Sequence, residues 1–176
     1  MSVIVVLGFK DEGAAETFRS RFEQLADAGD FKVEDSVMAL VAEDGTIEYR
    51  HYRSLARGGA VAGGIIGGIL GMFALSPVAG AAVGAAGGAA LGKMAGDYGI
   101  EEDFISKTSE TLAPGSAALF LEMASVSTGD IEKLVEGEDI TVVTTRLGKE
   151  AREAWLQIRE MELEDQRNEA ADKTES

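Results

Sequence analysis

Cysteine is absent from the 176 residues and histidine occurs once, at His51. Without cysteine there are no disulfides, thiolate zinc sites, iron–sulfur clusters or thiol nucleophiles, and one imidazole cannot build a histidine-rich metal site. Basic side chains are also scarce, 16 against 31 acidic ones, for a formal net charge of −15 and a pI near 4.4. A field of that sign repels phosphate backbones, so no nucleic-acid partner is expected. Most metal and nucleophilic chemistry is thereby excluded, and an enzyme is not expected. No cofactor is implied, and the length allows one domain with an appendage.

Along the chain the elements are well punctuated. Ser2 to Phe9 (SVIVVLGF) is β-branched and apolar, too short to span a membrane, and lacks the basic start and cleavage site of a signal peptide. It reads as a buried strand. From Asp11 the period becomes helical through Ala14, Phe18, Phe22 and Leu25, with acids at the start and Gly29 past the end. Val33 to Ala42 and Thr46 to Tyr52 flank Asp44-Gly45, a hairpin signal. Further on, Glu101 to Leu112 reads as a short helix stopped by Pro114-Gly115, Ala117 to Ala124 as a strand, Thr128 to Gly137 as a helix opened by Thr128, and Ile140 to Leu147 as a strand. Lys149 to about Arg167 is helical with an imperfect apolar stripe, and Asn168 to Ser176 reads as a disordered tail.

This order predicts an α+β fold, a ferredoxin-like βαββαβ sandwich with an inserted glycine-rich antiparallel helical hairpin and an appended helix-strand-helix. The domains expected are 1–57 with 97–148 as a discontinuous α+β unit, 58–96 as the hairpin, and 149–176 as an acidic helix and tail.

The segment from Gly58 to Gly92 holds 35 residues without a charge, 12 of them glycine. A flexible linker would be rich in polar residues, whereas this one carries Ile65, Ile66, Ile69, Leu70, Met72, Phe73 and Leu75. Its glycines recur every fourth residue: Gly59, Gly63, Gly67 and Gly71 before Ser76-Pro77, and Gly80, Gly84, Gly88, Gly92 and Gly96 after it. On a helix each register is a bare stripe that lets backbones approach, the small-xxx-small device of helices packed in lipid. Two helices, Gly58 to Leu75 and Val78 to Met94, are expected to fold back on each other at Ser76 and Pro77.

An 18-residue helix covers about 27 Å against a hydrocarbon layer of roughly 30 Å, so spanning is marginal. The first helix has seven Leu, Ile, Val or Phe residues and the second only three, so the second should not insert alone. Arg50, Arg53 and Arg57 before the hairpin and Lys93 at its far end are the basic residues expected on the cytoplasmic side of a membrane, or else solvated strand and loop residues.

Other motifs have ordinary explanations. Gly87 to Lys93 (GGAALGK) has the spacing of a phosphate loop, but Met94 stands where Ser or Thr would hold magnesium. The acidic groups Glu101-Glu102-Asp103 and Glu136 to Asp139 fit a helix start and a solvated surface. His51 has no partner at a recognisable spacing, and Trp155 reads as a packing residue.

The opening strand and Asp11-Glu12 helix, the AEDG turn at Ala42 to Gly45, the two-part glycine hairpin with Pro77, the GIEEDF run at Gly99 to Phe104 and the LAPGSAALF run at Leu112 to Phe120 agree in order and spacing with one family. The chain resembles bacterial proteins described only as predicted membrane proteins, domain-of-unknown-function twelve-sixty-nine, over roughly residues 1 to 150. That resemblance implies a glycine-zipper membrane-type domain with a stress-related role and supplies no catalytic residues. The function expected is that of a non-enzymatic membrane-associated or self-assembling protein, a homo-oligomer formed through the glycine hairpin, seated in the lipid bilayer of the cytoplasmic membrane with its soluble parts facing the cytoplasm. The alternative is a soluble cytoplasmic oligomer that buries the hairpin in a central bundle and binds an apolar ligand or protein partner.

Overall fold

A computed structural model of the chain describes residues 2–29, 31–54, 66, 69, 70, 100–124, 126–148 and 153. The elements are β1 (Ser2–Phe9), α1 (Glu12–Ala28), β2 (Lys32–Val41), β3 (Ile47–Ser54), α2 (Glu102–Thr111), β4 (Ala117–Ala124), α3 (Thr128–Leu134) and β5 (Thr141–Leu147). All strand pairs are antiparallel, in one sheet of order β3-β2-β4-β1-β5.

This is not the expected ferredoxin-like βαββαβ sandwich with an inserted hairpin. That fold would build its sheet from the first four strands, set β3 beside β1 and leave β5 as an appendage. Instead β4 lies between β1 and β2, β3 is an edge, and β5 pairs with β1 as the fifth strand. Burial explains the difference. All eight residues of β1 are buried, as are seven of the eight in β4, so both strands need neighbours on both sides and cover on both faces. The β3 sequence, IEYRHYRS, carries charge and includes the exposed Glu48 and His51, which suits an edge exposed to water. The helical hairpin over 58–96, its turn at Ser76 and Pro77, the phosphate-loop spacing at 87–93 and the helix and tail over 149–176 lie outside the described residues, apart from Ile66, Ile69, Leu70 and Glu153.

Local chemistry sets the helix ends. Asp11 caps α1 by accepting from the Ala14 N–H at 2.8 Å, and Gly29, at φ 92°, closes it in the left-handed region that glycine enters without strain. The cap of α3 is Ser127 rather than Thr128. Ser127 and Asp130 exchange hydrogen bonds in a capping box, and the helix ends at Leu134, short of Gly137.

Each face of the sheet has its own core. On one, α1 and α3 cover Val5, Leu7, Leu119 and Leu121, with Phe9, Phe18, Phe22 and Phe31 in a chain of ring contacts 5.5 to 6.2 Å apart. On the other, α2 covers Ile4, Val6, Val37 and Phe120. A bulge at Glu34 sends Val33 and Val37, an even step apart, into opposite cores.

Candidate functional site

Three residues of the glycine-patterned segment are described, and all three are part of the α2-side core. Ile66 and Ile69 are fully buried and Leu70 nearly so, in one cluster with Ile4, Phe104, Ile105 and Phe120. Each is helical, and the spacing i, i+3, i+4 puts them on one face of a helix. Tyr49 of β3 packs against the same cluster and its hydroxyl donates to the Leu70 carbonyl at 3.4 Å. Burial pushes the Tyr49 phenol above its ordinary pKa of 10.0, so it stays a neutral donor at physiological pH.

α2 forms the other half of this cover. Phe104, Ile105, Thr108 and Thr111 face the sheet, while Glu102 and Asp103 occupy the first turn, where the helix dipole favours acids. Asp103 pairs with Lys107 at 2.7 Å on the solvent side. Thr111 comes so close to β1 that a Cβ added at Gly8 would stand 2.8 Å from the Thr111 Cβ, so glycine is needed there for contact between helix and strand.

Among the basic residues singled out beside the hairpin, Arg50 is described and is engaged with its own domain. Its guanidinium meets Glu12 of α1 at 2.5 Å and Glu48 at 2.8 Å, and those two carboxylates hold it further in the charged form. Arg53 lies in β3 opposite Ser36. Arg57 and Lys93 fall outside the described residues, as do Gly59, Gly63, Gly67, Gly71, Gly80, Gly84, Gly88, Gly92 and Gly96. His51 is exposed on β3. No group of three or more metal-ligating side chains occurs among the described residues, and none of their helices is long and apolar enough to cross a membrane.

A neighbouring network ties α1 to β3. Tyr52 donates to Glu16, Arg19 pairs with Glu16 at 2.7 Å and Glu23 at 2.6 Å, and its guanidinium lies 4.1 Å from the centre of the Tyr52 ring. Burial alone would raise the Glu16 pKa. The hydrogen bonds from Tyr52 and Arg19, with the charges of Arg19 and Arg50, outweigh it and hold the carboxyl below its ordinary 4.5. A depressed folded-state pKa stabilises above the unfolded value, and that stability is lost as pH falls through the folded one. Tyr52→Phe is therefore expected to cost about 1 kcal/mol or less at neutral pH, and the difference from wild type should shrink on acidification below pH ~4. Urea midpoints at the two pH values check this.

The family model described as protein of unknown function, DUF1269, matches residues 60–159, more than half of the chain. The chain belongs to this family. The DUF1269 match begins after β3 and covers Ile66, Ile69, Leu70, α2, β4, α3 and β5. It thus takes in most of the apolar segment with α2, β4 and β5 but leaves out β1, β2 and β3, which complete the core around Ile66, Ile69 and Leu70, and it runs past residue 150, where the sequence resemblance was expected to end. No curated protein and no solved structure matches the chain.

Sequence reasoning singled out the glycines and the flanking bases, and read the aliphatic residues between them as a membrane or bundle surface. It missed that Ile66, Ile69 and Leu70 serve the sheet. Their helical spacing was visible, but the partner surface comes from β1, β2, β4 and β5 and is assembled only by the fold.

Proposed function

We propose that this DUF1269 protein is a non-enzymatic assembly module whose apolar segment is anchored on its own sheet and associates with the same segment of other copies through the glycine registers. The observation that carries this is the burial of Ile66, Ile69 and Leu70 in the core shared with Phe104 and Phe120. Burying an aliphatic side chain in a protein core is worth roughly 1.5–3 kcal/mol, whereas each such residue contributes about 0.3–0.6 kcal/mol to insertion at a bilayer centre. Moving the segment into lipid would also uncover Ile4, Val6 and Phe120 on the sheet. Anchoring on the sheet is therefore favoured over a spanning hairpin, and a cytoplasmic assembly over one in the cytoplasmic membrane.

The glycine registers supply the association surface in this scheme. Nine glycines at four-residue spacing cost helix stability, about 1 kcal/mol each relative to alanine, which close backbone packing can offset. Carbonate-washed fractionation with sedimentation in the absence of detergent tests the proposal. The expected result is a defined oligomer in the supernatant. Quantitative retention in the washed membrane pellet, or a monomer of 18.5 kDa, would overturn it.

A further inference from the structure

A cleft of about 410 Å³ opens on the α1 and α3 side of the sheet, away from Ile66, Ile69 and Leu70. Leu25, Phe31, Val126 and Leu134 give it apolar surface, and Lys32 at the start of β2 and Lys133 in the last turn of α3 also line it. Phe31 is held by its ring contact with Phe22, 5.7 Å away, so part of the lining is fixed by the core.

The electrostatics of the cleft oppose those of the chain. Three arginines elsewhere are paired with carboxylates: Arg19 with Glu16 and Glu23, Arg21 with Glu138, Arg50 with Glu12 and Glu48. Lys32 and Lys133 form no ion pair among the described residues, although acids outnumber bases nearly two to one in the sequence. Asp130 also lines the cleft; its carboxylate is tied to the Ser127 N–H at 3.2 Å and the Ser127 hydroxyl at 2.6 Å, and it also feels the charge of Lys133. A mixed lining of apolar side chains with Lys32 and with Lys133, whose charge is shared with Asp130, matches a ligand that is apolar along its length and anionic at one end.

We propose that this cleft binds a small amphipathic carboxylate, with the chain or ring against Phe31, Val126 and Leu134 and the carboxylate between Lys32 and Lys133. The volume suits a ligand of on the order of a dozen heavy atoms, within the usual range of small-molecule sites. Charge-assisted hydrogen bonds to ammonium fix the orientation, and burial of the apolar part supplies most of the affinity.

Octanoate, octanol and octylammonium serve as probes in equilibrium dialysis against the full-length protein. A net charge of −15 attracts cations, so general adsorption ranks octylammonium above octanoate. The lysine pair ranks them the other way. Expected results are saturable binding of octanoate at one site per chain, at least tenfold preference over octylammonium, and weakening as salt is raised. Lys32→Met with Lys133→Met should reduce octanoate affinity about tenfold and leave octanol unchanged, since both side chains are exposed and keep their apolar stems. Lys32→Glu with Lys133→Glu should invert the preference toward octylammonium. Absence of saturable octanoate binding, equal affinity for the two ions, or unchanged octanoate affinity in the Met variant would overturn the proposal. None of these measurements depends on the oligomeric state.

Discussion

Ile69→Asp should either unfold the domain or detach the apolar segment from the sheet. Ile69 has no exposed surface and lies in one core with Ile66, Leu70, Ile100, Phe104 and Phe120. Desolvating a carboxylate there without a partner costs several kcal/mol, a large share of the 5–15 kcal/mol that keeps a typical domain folded. Protonation relieves part of this but still leaves a polar group in an apolar site. The conservative change Ile69→Val should cost only about 0.5–1.5 kcal/mol, and the contrast between the two separates loss of volume from loss of apolar character. Thermal or urea unfolding gives the stability change, and limited proteolysis of the segment reports detachment. An anchor that worked only in lipid would respond differently: Ile69→Asp would abolish membrane retention and leave the soluble part's midpoint where it was. An unchanged midpoint together with unchanged protease resistance would show that Ile69 does not hold the segment to the sheet.

Much of the secondary structure was legible because short-range chemistry decides it. β1 and β4 announce themselves as apolar runs, and α1 is bracketed by Asp11 and Gly29. The pairing of these elements was not legible from their order alone. Strand order follows from which strands tolerate an edge, and that depends on burial of both faces, which the fold creates. The bulge at Glu34 hides a further part of the pattern, since simple alternation would assign Val33 and Val37 to the same face. Lys32 and Lys133 meet at one cleft although about a hundred residues separate them in the chain, and no local signal links them.

Gly67→Leu is expected to dismantle the assembly without unfolding the chain. On a helix of 3.6 residues per turn, the register of Gly63, Gly67 and Gly71 is centred about 100° from the stripe of Ile66, Ile69 and Leu70. On the helix expected over 58–75, a leucine at 67 would add its side chain to the flank of the stripe of Ile66, Ile69 and Leu70, in the surface proposed for contact between copies. The added branch forces apart backbones that glycine lets approach, so oligomer mass should fall toward the 18.5 kDa of one chain while the unfolding midpoint of the α+β domain stays put. Gly84→Leu, in the second register, should act in the same way. Alanine separates the competing effects at each position. It raises helix propensity by about 1 kcal/mol and adds only a methyl group, so Gly67→Ala should retain more of the assembly than Gly67→Leu. A segment that acted only as an apolar surface would give the opposite order, because leucine buries most area. Sedimentation in the absence of detergent distinguishes the two. Equal oligomer mass for wild type, alanine and leucine at both positions would mean that the four-residue spacing does not serve packing, and a drop in mass accompanied by loss of the domain's unfolding transition would place Gly67 in the core instead.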